Sequence, residues 1–223
     1  EYVGTTESVA VSCGTASLEI ALRFFNVKDM EVIVPTNTFV ASSNAVLYAG
    51  GKPVFADINS ETLCVDPSDL SRRITPRTRG IIVVHVAGLV CPEIYEIKEI
   101  CEDHGLFLVE DASHSHGAAI GSKKAGSIGD VGCFSFYPTK VMTTCEGGMI
   151  ATSDGDLATH ARRMRNHGRD ERTGLVVMLG YNWLMDEIDA AIGIRQLEQL
   201  DRLVEMRNAI AEKYDARLKG MDG

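Results

Sequence analysis

The sequence contains no Cys-x-x-Cys pair, although it has six cysteines: Cys13, Cys64, Cys91, Cys101, Cys133 and Cys145. That absence removes the usual dithiol redox and zinc-ribbon arrangements. Most of the six stand in apolar surroundings, where the buried, reduced thiols of a cytoplasmic protein are expected. No long apolar stretch occurs, so no membrane-spanning helix is expected. No run of basic residues occurs either, and the formal charge is −9. Such a surface repels nucleic acid and anionic lipid, so neither a nucleic acid nor a membrane is an expected partner. There is no internal repeat and no low-complexity segment. What is present is ordinary globular composition, 45% apolar with charge of both signs mixed along the chain. A chain of 223 residues can form one large domain, or a large and a small one. The first residue is Glu1 rather than Met, so the segment is expected to begin inside a longer chain.

Apolar periodicity divides the chain into alternating strands and helices. Ser8–Ser12 reads as a short buried strand, followed by Gly14-Thr15-Ala16 and then Leu18, Ala21, Leu22 and Phe25 at helical spacing. Glu31–Pro35 is a second strand, and a helix from about Val40 to Ala49 ends at Gly50-Gly51. Pro53–Asp57 is a third strand. Gly80–His85 is apolar on both faces, as a central parallel strand is. A helix from Pro92 to His104 follows, with Pro92 in its first turn and Gly105 past its end. Leu106–Asp111 is the next strand. Val131–Phe136 and Gly148–Thr152 form two more, close enough in sequence to be antiparallel. Beyond Asp154 the pattern is helical, with a long stretch from Asp186 to Leu218 broken near Asp201. Strands alternating with helices predict an α/β fold whose mostly parallel sheet is covered by helices on both faces. In such sheets the site lies beyond the carboxyl ends of the strands. Gly14-Thr15, Asp111 and His114 fall there.

The chemistry-bearing residues are individually ordinary. Gly14-Thr15-Ala16 at a helix start offers backbone N–H groups and a hydroxyl to a phosphate, or simply makes a tight turn. Asp111 ends an apolar strand and suits either a ring nitrogen or a turn cap. His114 and His116 are two apart, and no third ligand follows at a useful zinc spacing, so a hydrogen-bonding role is favoured. In Cys133-Phe-Ser-Phe-Tyr-Pro-Thr-Lys140, alternation that buries Phe134 and Phe136 turns Ser135 to the opposite face. Lys140 follows this strand and precedes the Gly147-Gly148 turn, a place for a partly buried, deprotonable amine. Phe39 can stack on a flat ring or serve as core. Together, a lysine after one strand and a carboxylate at the end of another can build a pyridoxal phosphate site. The lysine holds the cofactor as a Schiff base, and the aspartate keeps its ring nitrogen protonated.

Set in order, these segments resemble the DegT/DnrJ/StrS family of pyridoxal-phosphate-dependent nucleotide-sugar aminotransferases. The resemblance rests on Val11-Ser-Cys-Gly-Thr-Ala-Ser17, Val34-Pro-Thr-Asn-Thr-Phe-Val40, Glu110-Asp-Ala-Ser-His-Ser-His-Gly117, Gly126-Ser-Ile-Gly-Asp130, Cys133 to Lys140, Glu146-Gly-Gly148, and Gly180-Tyr-Asn182 leading to Asp189-Ala-Ala-Ile-Gly193. It implies a fold type I large domain, cytoplasmic and working as a homodimer with shared sites. Residues 1–223 would be that domain, without an N-terminal segment and most of a small C-terminal domain. Lys140 would be the Schiff-base lysine and Asp111 the partner of the ring nitrogen. Ser135, with the Thr15 and Ala16 backbone, would hold the phosphate, and Phe39 would stack on the ring. His114 stands where the family most often has Gln, near the cofactor's phenolic oxygen. Asn182 would reach the phosphate of the neighbouring subunit's cofactor. The implied reaction moves an amino group from glutamate or glutamine to a keto-sugar nucleotide. Two alternatives are a related sugar dehydratase or lyase, where Lys140 argues against the dehydratase but not against an unusual lyase, and an idle protein of the same fold that only binds. One departure stands out: the family's aromatic-Arg pair after Gly-Tyr-Asn is Trp183-Leu184 here.

Overall fold

The computed structural model describes residues 1–220. Its strands are β1 (Glu7–Val11), β2 (Glu31–Pro35), β3 (Lys52–Ala56), β4 (Thr78–Val84), β5 (Phe107–Asp111), β6 (Ala119–Ile120), β7 (Lys123–Lys124), β8 (Val131–Ser135) and β9 (Gly148–Thr152). Its helices are α1 (Gly14–Phe24), α2 (Val40–Tyr48), α3 (Pro67–Arg73), α4 (Ile94–His104), α5 (Gly155–Arg165), α6 (Glu187–Glu198) and α7 (Leu200–Leu218). Seven strands form one sheet in the order β1-β9-β8-β5-β4-β2-β3. β9 runs antiparallel to both of its neighbours, and the other pairings are parallel. β6 and β7 form a separate small hairpin.

Residues alternate between the two faces of the sheet, as the period of a strand requires. Val32, Val34, Ile82, Val84 and Val109 pack toward α1, α2 and α5. Ile33, Ile81, Val83 and Leu108 pack toward α3 and α4. Both faces are therefore dry, which explains why β2 and β4 read as nearly unbroken apolar runs. The expected mostly parallel sheet covered on both faces is the one observed.

Several boundaries differ from the sequence expectation. Pro92 lies before α4 rather than in its first turn, because Glu93 is the cap. The break in the C-terminal helical stretch falls at Gln199, two residues earlier than the pattern suggested. α3 was not expected at all. Its seven residues carry no apolar stripe, yet its start signal is clear: the Asp66 carboxylate accepts from the Ser68 and Asp69 N–H groups, and Pro67 occupies the first turn. α2 ends as expected, with Gly50 at φ +82° just beyond it.

The sharpest constraint within the sheet is Glu110. It is fully buried on β5, and four donors converge on its carboxylate. Gly126 N–H (2.7 Å) and His85 Nε2 (2.8 Å) reach Oε2, while Ile128 and Gly129 N–H reach Oε1 at 2.6 Å each. His85 accepts the Cys91 N–H at Nδ1 (3.2 Å), so its neutral ring carries the proton on Nε2 and donates it to Glu110. Burial pushes the Glu110 carboxyl up, but His85 and the backbone donors outweigh it and hold the group below its usual range. A group lowered on folding contributes stability above its unfolded value, and that stability is lost as pH falls through the folded value. Glu110→Gln turns an amide N–H₂ toward groups that are themselves donors. We expect it to cost about 3 kcal/mol in chemical denaturation at neutral pH. The gap to wild type should narrow on acidification; a gap independent of pH would contradict the assignment.

Candidate active site

The cleft is built where two parallel strands end and one helix begins. β5 delivers Asp111, β8 delivers Ser135, and α1 points its N-terminus between them. The cleft has a volume of about 660 Å³ and is lined by Thr15, Phe39, Asp111, His114, Ser135 and Lys140, among others. Six of the eight residues singled out in the sequence therefore line one cavity.

Its floor depends on close backbone approach. A Cβ on Gly14 would lie 2.7 Å from Ser135 Cβ, and one on Gly148 would lie 2.5 Å from the Cys13 carbonyl. Glycine at both positions lets α1 start against the ends of β8 and β9. Cys13 caps the helix with its thiol, accepting the Ala16 N–H at 3.4 Å. Ala16 itself is buried beneath the cleft. Its N–H is thus held by a weak acceptor that a phosphate oxygen can replace. Ser135 faces this helix start, while Phe134 and Phe136 pack into the core on the other side of the sheet. The alternation read from the sequence places all three correctly.

Asp111 is 5% exposed, and its Oδ2 accepts from Ser42 Oγ at 2.7 Å. Its Oδ1 accepts the Ser113 N–H at 3.2 Å. Lys140 is half-buried in the turn after β8. Burial pushes its amine below the ordinary 10.5, and the nearby Asp111 carboxylate offsets part of that shift. His114 is lowered as well, first by burial and then by Lys140, with Asp111 acting the other way. A lowered imidazole is neutral near pH 7, with one N–H to donate. Phe39 stands at the mouth, 70% exposed, as the residue before α2. His116, by contrast, sits away from solvent against Phe134 and Phe136.

Asn182 is the one predicted residue clearly outside the cleft. It is exposed, and its backbone forms an isolated bridge with Asn166. Leu184 is exposed nearby. Sequence reasoning missed Ser42 and Thr38. Their i, i+4 spacing at a helix start was a signal, but hydroxyl residues at helix starts are too common to single out.

The donor set fits pyridoxal phosphate. A glycine-floored helix N-terminus with Thr15 and Ser135 suits a dianionic phosphate. A buried carboxylate suits a ring nitrogen, and a lysine with a lowered pKa suits an aldehyde carbon. Fold and cleft together are those of fold type I pyridoxal phosphate enzymes. The chain belongs to the DegT/DnrJ/EryC1/StrS aminotransferase family, whose model matches residues 1–223. It is 40% identical to the GDP-perosamine synthase of Caulobacter vibrioides, over 98% of this chain and 59% of that protein. It is 38% identical to the UDP-N-acetyl-3-dehydro-alpha-D-glucosamine 3-aminotransferase of Acidithiobacillus ferrooxidans, over 98% of this chain and 59% of that protein. The solved structure of S. venezuelae DesV superposes with a TM-score of 0.95 at 35% identity, over 100% of this chain and 60% of that one. The chain thus spans about three fifths of the length of the curated relatives it matches.

The electrostatics of Lys140 can be tested without any cofactor. Reductive methylation with formaldehyde, followed at Lys140 by mass spectrometry, reports the deprotonated amine. Its pH midpoint should lie below 10.5. Asp111→Asn removes the attraction that offsets burial, so the midpoint should fall further in that variant. A rise would mean that the carboxylate does not act on this amine.

Proposed function

We propose that this chain is the cofactor-binding part of a pyridoxal-phosphate-dependent aminotransferase that moves an amino group from glutamate or glutamine to a keto-sugar nucleotide. The observation that carries this reading is the pairing of Lys140 and Asp111 across one cleft, above a helix N-terminus, in a chain of this family. The names of the relatives, which act on GDP- and UDP-linked sugars, support the substrate class.

When bound, pyridoxal phosphate carries the amino group between the two substrates and draws electrons from the carbon that loses a proton. The chain's own residues would do the rest. Lys140, with its amine already shifted toward the neutral form, would take up and return the proton at the reacting carbon. Asp111 keeps a proton on the ring nitrogen. His114, neutral at pH 7, donates its N–H to the ring's phenolic oxygen. Ser135, Thr15 and the N–H groups at the start of α1 hold the phosphate, with Ala16 among them once the Cys13 thiol yields. Phe39, at the cleft mouth, would stack on the ring.

In this proposal the enzyme is a homodimer, and Asn182 completes the partner's phosphate site. Its exposure outside its own cleft supports that role. So do the exposed apolar residues on either side of it, Leu175, Val176 and Leu179 before and Ile188 and Ile194 after. Exposed apolar side chains, where they cluster, are often covered by protein. We further propose a cytoplasmic location. Free thiols at all six cysteines support it. No helix among the described residues is long and apolar enough to cross a membrane. Retention of Lys140 weighs against the sugar dehydratase reading, and Lys140, Asp111 and Ser135 standing together in one cleft weigh against an idle binding protein.

Two experiments on the whole natural protein test these statements. Borohydride reduction in the presence of pyridoxal phosphate should leave a stable adduct on Lys140, seen by peptide mass spectrometry. Lys140→Ala should lose the adduct while retaining weak cofactor binding. An adduct on another lysine would overturn the assignment.

The shared site has its own test. Lys140→Ala and Asn182→Ala subunits, each nearly inactive, are mixed and allowed to exchange. One site of each mixed dimer then carries both defects and the other carries neither, so up to half the activity of a wild-type dimer returns. No recovery after verified exchange would mean that each site is complete within one chain.

A further inference from the structure

Ser42 is fully buried on the first turn of α2, on a helix that carries none of the groups assigned above. Its hydroxyl is 2.7 Å from Asp111 Oδ2 and 2.7 Å from Thr38 Oγ1. Thr38 lines the cleft beside Phe39. The direction of this chain of hydroxyls follows from proton counting. An ionised carboxylate can only accept, so the single Ser42 proton goes to Asp111. Ser42 must then accept from Thr38. The Thr38 proton has one other acceptor nearby, the Phe39 carbonyl at 3.3 Å. The shorter contact is the one to Ser42.

We propose that Ser42, supported by Thr38, is a positioning residue for the Asp111 carboxylate. The short bond to Oδ2 fixes the rotamer and occupies one oxygen. The other oxygen, held only by the longer Ser113 bond, keeps the acceptor capacity. The second effect is on the proton. A hydrogen bond to a carboxylate stabilises its charged form. A carboxylate held in this way would favour a proton on a pyridine nitrogen that faces it. Other groups act on the same carboxylate: Lys140 and His114 share the cleft with it, and the Cys133 thiol is buried beside it on β8. Only Ser42 and Ser113 donate hydrogen bonds to it among the described residues. This inference rests on the cofactor reading above and extends it to a residue on a different helix.

The test uses the whole natural protein loaded with pyridoxal phosphate labelled with ¹⁵N in the ring. The ¹⁵N chemical shift distinguishes protonated from neutral pyridine and does not depend on turnover. Ser42→Ala should bind the cofactor and move the signal toward neutral pyridine. The same variant should slow the half-reaction with the amino donor by about tenfold or more, with little change in KM. Thr38→Val, which keeps the shape and removes the donor to Ser42, should shift the signal the same way by less. Ser42→Thr should restore both signal and rate. Alanine is a better helix former than serine, so Ser42→Ala leaves α2 intact, and Thr38→Val provides an independent probe outside the helix. An unchanged ¹⁵N signal in Ser42→Ala overturns the proposal, whether or not the rate falls, because a purely structural role would change rate alone. Asp111→Asn separates the two readings. If that variant leaves the signal unmoved, the cofactor reading fails and this proposal with it. If Asp111→Asn moves the signal and Ser42→Ala does not, only the role of Ser42 fails.

Discussion

Two neighbouring carboxylates at the end of β5 face opposite sides of the sheet, and the architecture around the cleft depends on how each is satisfied. Glu110 turns toward the α3 and α4 side, where His85 and three backbone N–H groups saturate it. Those backbone groups belong to residues 126–129, the segment that leads into β8. A buried charge with four donors is stable only if none of them moves. The tie therefore fixes where β8 begins relative to β5, and β8 carries Ser135 into the cleft. Asp111, one residue on, turns the other way and is left with two donors and capacity to spare. One strand thus supplies both an anchor and a working group, separated by the pleat alone.

The same economy governs the other side of the cleft. α1 can begin against β8 and β9 only because Gly14 and Gly148 have no side chains. Closeness there sets the distance between the helix N-terminus and Ser135. A methyl group at Gly14 would push on Ser135 Cβ itself, not on the tip of a flexible chain. The floor of the site is consequently a packing constraint before it is a binding one.

What was legible in the sequence was what strand period and turn chemistry determine. Phe134 and Phe136 point into the core and Ser135 out of it because a strand alternates, and no tertiary information was needed. Asp111, His114 and Lys140 follow strand ends, where α/β sheets place their sites. β8 and β9 were legible as strands close in sequence, and the antiparallel pairing that closeness suggested is the one observed. What was not legible depends on contacts between distant segments. Ser42 and Asp111 lie 69 positions apart, and nothing local to either names the other. Glu110 read as a neighbour of the important residue, because its four partners come from two other segments. α3 escaped because a seven-residue helix held by one cap and one apolar side chain leaves no periodic trace. Asn182 shows a further limit. A single chain places it on the surface, and its proposed role belongs to an assembly that one chain's pattern of burial does not contain.

The electrostatic state of the cleft is a balance in which each charged group is needed to explain another. Burial lowers Lys140 and favours the neutral amine, whereas Asp111 opposes this by favouring the ammonium. His114 is lowered by burial and by that same amine, and raised by the same carboxylate. Asp111 therefore limits how far both basic groups are shifted. Ser42 and Ser113 hold that carboxylate in place with their hydrogen bonds, and so fix where Lys140 and His114 sense its charge. A hydroxyl on α2, with no part of its own in proton transfer, thus bears on the position of a charge that two residues on other segments sense. The reach of that effect is physical and short: one hydrogen bond of 2.7 Å, then a Coulomb interaction across a partly dry cleft.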